Sequence, residues 1–243
     1  MSATSVLPAE VLRIILRKLS NKDLSKVVLV CKTWRELGED PSLWKWDTVA
    51  VYSNMYLKKT KGRKGDQRML GLRRLEHVKN ISVFRHGWVS GELKNLFKAM
   101  LRLHKLSWLV MDNFSLSFVE PGLVASVVTM MEYMYMSATE LSSVQVDTLF
   151  STISETGKLR RLWIQGTNLS TVDKYTLADG VNNINDVNLR NTQVTSEQVT
   201  CILSEAAKHT KLHTLALDRF IVQQVDQQVV QQAEISIKDL QIL

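Results

Sequence analysis

Apolar residues recur along most of the chain in a six-position unit, apolar-x-x-apolar-x-apolar. The central apolar residues of its eight copies are Val49, Ile81, Leu109, Met134, Leu162, Val187, Leu215 and Leu240. The steps between these residues are 32, 28, 25, 28, 25, 28 and 25 positions. Alternating apolar positions are typical of a short strand with one buried face. The pattern therefore predicts eight similar strands at an alternating period.

Runs of apolar residues at helical spacing follow these strands. They include 93–100, 123–128, 146–153, 172–181, 199–206 and 225–230. Short strands that alternate with helices indicate an α/β fold with a parallel sheet and outer helices. A single unit cannot bury its own apolar face, so we expect the units to stack into a curved solenoid.

The period resembles that of leucine-rich repeats, whose units contain about 20–29 residues. Thr139, Thr167 and Thr192 share one position after successive strands, where a hydroxyl can hydrogen-bond to the backbone of the neighbouring turn. The resemblance implies a short leucine-rich-repeat domain over residues 47–243.

Residues before the first strand have a purely helical pattern. Val6, Leu7 and the apolar residues up to Leu19 form a broad stripe, with Pro8 near the helix start. Ser20 and Asp23 have capping-box spacing and predict a second helix that starts near Asn21 and runs through to Leu37. Pro41 ends it, and we expect Ser42 to cap a short turn.

This N-terminal segment resembles an F-box over residues 1–46, with the most informative matches at 7–46. The matching elements include Leu7-Pro8, Val30-Cys31, Trp34 and Leu43-Trp44, in the order and near the spacing of the family. The resemblance implies that the segment binds the Skp adaptor and, through it, cullin. The residues expected at the adaptor surface are Leu7, Pro8, Glu10, Leu12, Ile15, Leu24, Val30 and Trp34.

The formal charge of +7 is concentrated in one basic loop at about 58–74, where eight lysine and arginine residues oppose one aspartate. Three interpretations stay open: a solvated insertion, a nuclear-import signal, or contact with an acidic partner or nucleic acid. Nucleic acid is disfavoured because no aromatic residue interleaves these cations. We expect cytoplasmic or nuclear residence, because the chain shows neither a secretory signal nor a membrane-spanning run.

Motifs of catalysis and cofactor binding do not occur in the sequence. It has no glycine-rich phosphate loop, no G-x-S-x-G and no H-E-x-x-H. The two cysteines, Cys31 and Cys201, fall in separate apolar patterns and are expected to be reduced, buried thiols. We therefore expect a non-enzymatic protein with no catalytic residue, no metal and no cofactor.

The strand positions that point away from the predicted core carry several aromatic side chains. Tryptophan, tyrosine and arginine are enriched in binding hot spots, and the alternation places these residues on the concave face. The residues expected to bind a protein substrate are Trp108, Tyr133, Tyr135, Arg161, Trp163 and Arg190. The alternative is that the aromatic residues cover the sheet or pack on the N-terminal segment.

Two functions follow from these patterns. The resemblance implies a substrate-recognition subunit of a cullin-type ubiquitin ligase, whose F-box binds the adaptor and whose repeats bind the substrate. The alternative is a leucine-rich-repeat scaffold or assembly factor whose N-terminal segment merely caps the repeats. Exposure of Leu7, Pro8, Leu12 and Ile15 favours the first, whereas their burial by the repeats favours the second.

The last predicted strand, 237–242, ends one residue before Leu243. An unpaired strand edge is a template for further pairing. The expectation is that this edge is covered by a partner or a second copy, or that the natural chain is longer.

Overall fold

The computed structural model describes residues 7–43, 48–52, 78–84, 88, 90–208 and 211–243. The N-terminal part contains α1 (Ala9–Leu16), α2 (Asn21–Val27), α3 (Lys32–Gly38) and a 3-10 turn (Pro41–Leu43). The hydroxyl of Ser20 accepts a hydrogen bond from the backbone N–H of Asp23 and caps α2, which confirms the predicted start of this helix. The centre of these helices is a small cluster of buried residues: Leu16, Leu24, Val28 and Leu43.

One local prediction for this part is wrong. The helix expected to run from Asn21 to Leu37 is interrupted at 28–31, and Nε of Arg35 donates a hydrogen bond of 3.1 Å to the Val28 carbonyl at the break. The turn at 41–43 is capped by Asp40, whose carboxylate accepts from the backbone N–H of Ser42 at 3.0 Å. The turn that Ser42 is expected to cap continues past Leu43 into residues outside the described ranges, so that cap stays a prediction.

The buried-thiol prediction is also corrected. Cys31 lies at the N-cap of α3 and is exposed, because the helix break turns it out of the apolar stripe. Cys201 is half-buried, and this burial raises the pKa of its thiol.

The eight predicted strands form one parallel sheet in sequence order, β1 to β8. Their bounds are β1 (Thr48–Tyr52), β2 (Asn80–Phe84), β3 (Trp108–Asp112), β4 (Tyr133–Ser137), β5 (Arg161–Gln165), β6 (Asp186–Asn188), β7 (Thr214–Leu217) and β8 (Asp239–Ile242). Each central residue of the sequence motif pairs with the next one, from Val49 with Ile81 to Leu215 with Leu240. The predicted register is therefore confirmed at every step.

From β2 onward, helices connect the strands and cover one face of the sheet in the described chain. They are α4 (Ser90–Met100), α5 (Pro121–Val128), α6 (Ser143–Thr156), α7 (Lys174–Asn182), α8 (Ser196–Lys208), α9 (Arg219–Val222) and α10 (Gln227–Ser236). Alternate strand residues, such as Leu162 and Ile164, are buried with helix residues such as Leu149 and Phe150 in one large core. The intervening strand residues lie on the opposite face, which stays partly exposed.

The longest helix of each unit has more residues in the steps of 28 than in the steps of 25. The helices α6 and α8 contain 14 and 13 residues and lie in steps of 28, whereas α5, α7 and α10 contain 8, 9 and 10 residues and lie in steps of 25. The Thr167 hydroxyl also links neighbouring units, since it donates a 3.0 Å hydrogen bond to the carbonyl of Thr139, whereas Thr139 and Thr192 donate within their own units, to the carbonyls of Ser137 and Leu189. The basic loop at 58–74 lies outside the described residues, so its three interpretations stay predictions.

Candidate binding surfaces

The open face of the sheet carries a continuous stack of four aromatic rings, which we call the aromatic stripe: Trp108, Tyr133, Tyr135 and Trp163. The Trp108 ring lies 5.0 Å from that of Tyr133 and 5.4 Å from that of Tyr135, both stacked. The Tyr135 ring meets that of Trp163 edge-on at 4.9 Å. The parallel register creates this stack, because paired residues lie about one strand spacing of 4.8 Å apart, within the range of favourable ring contacts.

The tryptophan at the end of the stripe presents the most surface. Trp163 is 41% exposed, whereas Trp108, Tyr133 and Tyr135 are half-buried by one another. A flat, exposed aromatic side chain supported by a rigid stack loses little entropy on binding, which makes it a suitable anchor for a partner.

Arg161 lies beside the stripe and is held by two partners. Its guanidinium donates to the Tyr135 hydroxyl at 3.4 Å and to one carboxylate oxygen of Asp186 at 2.8 and 3.1 Å. These two partners, the Tyr135 hydroxyl and the Asp186 carboxylate, raise the pKa of Arg161 above its ordinary value. Much of the charge of Arg161 is therefore already matched by Asp186, and the arginine links β5 to both neighbouring strands, β4 and β6.

Arg190 lies apart from this group. It follows β6 and donates to the side-chain oxygen of Gln241 on β8 at 3.4 Å. Its Nε atom is buried without a hydrogen-bond partner in the described part of the chain. Five of the six predicted substrate-binding residues thus cluster on β3 to β5, and the sixth belongs to the other end of the sheet.

The N-terminal helices form a second surface with exposed apolar side chains. Leu7 is 46% exposed, Ile15 is 40% exposed and Val30 is 68% exposed. Pro8 and Glu10 are also exposed, and Trp34 is half-buried against the small cluster. These six residues of the predicted adaptor set are accessible in whole or in part.

Leu12 and Leu24 are different, since both are buried. Buried side chains of this kind support the helices and are not open to a partner in this conformation, so the adaptor role of these two residues stays a prediction that the burial does not favour. The helical stripe in the sequence is broad enough to serve both the inner and the outer side of α1, and helical spacing alone does not separate the two.

Sequence reasoning missed Leu29, which is 76% exposed beside Val30. The break between α2 and α3 turns both side chains outward, and the sequence marks this break with neither glycine nor proline. Val11 and Ile14 on α1 are exposed as well. Their helical spacing is visible in the sequence, but spacing does not show that they face outward.

A family model described as F-box-like matches residues 4–46. The chain therefore carries an F-box-like domain near its N-terminus, and domains of this kind typically bind the Skp adaptor. A search of curated proteins finds no match to the sequence. In the part of the chain that the structure describes, no helix is long and apolar enough to cross a membrane, and no three His, Cys, Asp or Glu side chains group as a metal site.

Proposed function

We propose that this protein is the substrate-recognition subunit of a cullin-type ubiquitin ligase. The observation that carries the proposal is the exposed apolar surface of the F-box-like domain. Leu7, Ile15, Leu29 and Val30 stay accessible although the domain has its own buried cluster. Exposed apolar patches of this kind are typical of docking sites, and the Skp adaptor is the partner that this domain class binds.

We propose further that the sheet is a leucine-rich-repeat domain, with domain limits of 1–46 and 47–243. Support comes from the period of 25 and 28 residues, the single parallel sheet in sequence order and the hydrogen bond from Thr167 to the preceding unit. Stacked units of this kind form extended binding surfaces. The aromatic stripe supplies such a surface for a protein substrate.

The scaffold alternative requires the N-terminal stripe to be covered. Leu7, Pro8 and Ile15 are exposed, while Leu12 is buried. Three of the four deciding residues therefore favour adaptor binding.

The chain itself contributes no catalysis in this proposal. It brings a substrate on the aromatic stripe close to an enzyme that is recruited through the adaptor and cullin, and proximity supplies the rate enhancement. No cofactor is required, and the protein acts in the cytoplasm or the nucleus.

The adaptor half of the proposal is tested with the double variant Leu7→Ala/Pro8→Ala. Truncation of central interface anchors costs on the order of 2–4 kcal/mol, so we expect binding of a purified Skp-type adaptor to fall below detection in a titration. Thermal unfolding should stay close to that of the parent chain, because both residues are exposed.

Phe118→Ala is the matched control, because Phe118 is an exposed apolar residue in the connection between β3 and α5. It should bind the adaptor with the affinity of the parent chain. Unchanged adaptor binding by Leu7→Ala/Pro8→Ala would falsify the proposal and favour the scaffold.

A further inference from the structure

The residues just before the strands form a fixed row along one edge of the sheet. The carbonyl of Lys79 accepts from the backbone N–H of Trp108 at 3.0 Å, and the carbonyl of Glu132 accepts from that of Arg161 at 3.1 Å. The same pairing continues along the edge through Arg160, Asn185 and His213. We call the connections that lead into the strands the αβ edge: 78–79, 101–107, 129–132, 157–160, 183–185, 211–213 and 237–238.

The αβ edge is strongly basic. Its described residues include one acidic side chain, Glu132, against seven lysine and arginine residues. These are Lys79, Arg102, Lys105, Lys158, Arg160, Lys211 and Lys238, all exposed.

The opposite edge of the sheet has the reverse charge. Within the described connections that lead from strands to helices, one basic residue, Arg190, stands against four acidic residues: Glu120, Glu140, Asp173 and Asp218. Several of these have local roles, such as Asp173, whose carboxylate accepts the backbone N–H groups of Tyr175 and Thr176 and caps α7. Outside the basic loop the charges of the sequence sum to about zero, but the positive and the negative residues of these connections lie at opposite edges of the sheet.

Compensation of helix dipoles accounts for only a part of the basic edge. Cations in the last turn of a helix interact favourably with its dipole, but α5, α6, α7 and α10 have no basic residue there. Lys158 does donate to the carbonyl of Met130 at 2.7 Å, and Arg160 lies 3.9 Å from the carboxylate of Glu132. Lys79, Lys211 and Lys238 take part in no ion pair within the described chain.

Lys211 increases the local density of charge. Its Nζ lies 3.3 Å from the point that a β-carbon on Gly157 would occupy. This position is at the end of α6, beside Lys158 in sequence. The Lys211 side chain thus reaches across β6 from the connection into β7 to the connection into β5, where the edge between them carries neutral asparagines at 183 and 185.

We infer that the αβ edge is an electrostatic docking surface for an acidic polypeptide segment of the protein that the aromatic stripe binds. This inference rests on the proposed function for its choice of partner. The two surfaces adjoin, because Trp108, Tyr133 and Arg161 are the first residues of their strands and follow directly on the edge. A bound protein can therefore place an apolar group on Trp163 and acidic residues on the edge, where complementary charge increases both specificity and association rate.

An acidic polypeptide fits this edge better than a nucleic acid does. Surfaces for single strands combine cations with aromatic side chains on which bases stack. The described residues of the αβ edge itself include no phenylalanine, tyrosine or tryptophan, and in the adjoining aromatic stripe Trp108, Tyr133 and Tyr135 are half-buried by one another, so these rings offer bases little open face. Glu132 also interrupts the row of cations, and a peptide with separated acidic side chains accommodates it more easily than a continuous phosphate backbone.

The test measures binding of a fluorescein-labelled oligoglutamate peptide to the full chain by fluorescence anisotropy. The edge variant is Lys79→Glu/Lys211→Glu/Lys238→Glu. The control variant, Lys18→Glu/Lys26→Glu/Lys32→Glu, changes the net charge equally but on the F-box-like domain. We expect roughly a tenfold loss of affinity in the edge variant and less than about a twofold loss in the control. The affinity of the parent chain for the peptide should decrease when the salt concentration is raised from about 0.05 M to about 0.5 M.

Three outcomes overturn the inference. Equal peptide affinity of the parent and edge variants would place the peptide elsewhere on the chain. Equal losses in the edge and control variants would show an effect of net charge alone. Tighter binding of an oligonucleotide of the same charge, lost in the edge variant, would assign the edge to nucleic acid.

Two further measurements separate this inference from the proposed function. The edge variant should bind the Skp-type adaptor normally and melt near the parent temperature, since its three substitutions are exposed. Trp163→Ala should bind oligoglutamate as the parent does. If the adaptor test fails and the oligoglutamate test succeeds, the basic docking edge stands, but the protein belongs to a class other than the proposed one.

Discussion

Trp163 and Tyr135 share the aromatic stripe, but they differ in what surrounds them. Trp163 is the more exposed ring, whereas Tyr135 is packed between Trp108 and Trp163 and accepts a hydrogen bond from Arg161. We predict that Trp163→Ala weakens substrate capture and changes the free energy of unfolding by no more than about 0.5 kcal/mol. Tyr135→Ala should weaken capture as well and cost about 1–2 kcal/mol, because it also removes two ring contacts.

Capture is measured by crosslinking the parent chain and Trp163→Ala to their partners and quantifying the partners by mass spectrometry. Stability is measured by urea unfolding. Substrate candidates are the proteins that crosslink to the parent chain and to Leu7→Ala/Pro8→Ala but are lost from Trp163→Ala. An identical set of crosslinked partners in Trp163→Ala would remove the aromatic stripe from the substrate site.

Two buried glutamines join neighbouring units from the starts of the long helices. Nε2 of Gln145 donates to the carbonyls of Leu116 and Val119, both at 2.6 Å, and its Oε1 accepts from the backbone N–H of Ser142. Gln198 makes the same three bonds to Leu169, Val172 and Thr195. The two residues are 53 positions apart, which is the length of one pair of alternating units.

We predict that Gln145→Leu destabilises the protein by about 2–3 kcal/mol, because it leaves buried carbonyls without donors. Urea unfolding of this variant against Gln224→Leu, an exposed position, provides the measurement. Equal midpoints for the two variants would mean that water or a shifted loop satisfies the carbonyls.

Residue identity alone did not reveal these glutamines. The apolar alternation predicted the inward strand residues correctly, because burial of apolar surface is the main driving force of folding and leaves a period in the sequence. Two glutamines 53 positions apart are too few to mark a pattern in the sequence, and recognition of their burial requires the partner carbonyls of another unit. Ser142-x-x-Gln145 and Thr195-x-x-Gln198 have capping-box spacing, so this signal is present in the sequence, although it predicts the helix start and not the long-range bonds.

The break between α2 and α3 shows a second limit, at the level of elements. Helical spacing continues across 28–31, so the sequence predicts one helix, but Arg35 instead binds the Val28 carbonyl and Cys31 opens a new helix. A side chain seven positions away replaces the interrupted backbone bond. Strand positions were easier to predict, because each strand is short and its motif recurs eight times.

Close packing between neighbouring helices depends on Gly180 in α7. A β-carbon at this position would lie 2.8 Å from Cδ1 of Phe150 and 3.0 Å from its carbonyl oxygen. The carbonyl belongs to the backbone of α6 and cannot move without shifting that helix. We therefore predict that Gly180→Ala destabilises the protein by about 1–3 kcal/mol through overpacking.

Gly122 in α5 is the matched control, since a β-carbon there meets nothing within 4 Å. Gly122→Ala should be neutral or stabilising by up to about 1 kcal/mol, because alanine loses less backbone entropy in a helix. Thermal unfolding of the two variants provides the comparison. A melting temperature for Gly180→Ala as high as that for Gly122→Ala would show that α6 and α7 can separate at little cost.

At the scale of the whole molecule, the sequence predicts the order of the sheet but not the opposite charges of its two edges. The parallel order and register of the sheet followed from the repeating motif, since each unit must bury its apolar face on the next. The excess positive charge of the sequence lies in one segment, but the opposite signs of the two sheet edges are invisible in a sum. They emerge when the connections are sorted by the edge of the sheet to which they belong.

Most buried hydrophobic residues of the described chain belong to one of two clusters, one in the F-box-like domain and one beneath the sheet. Leu16 belongs to the first and Leu162 to the second, and both side chains are fully buried. Removal of a buried leucine side chain costs about 2–5 kcal/mol, and the effect is confined to a region that unfolds cooperatively with it. We predict that Leu16→Ala accelerates amide hydrogen exchange in α1 to α3 and leaves β4 to β6 unchanged, whereas Leu162→Ala does the reverse. Exchange that rises throughout the sheet in Leu16→Ala would show one cooperative unit, and the domain limits of 1–46 and 47–243 would then have no thermodynamic meaning.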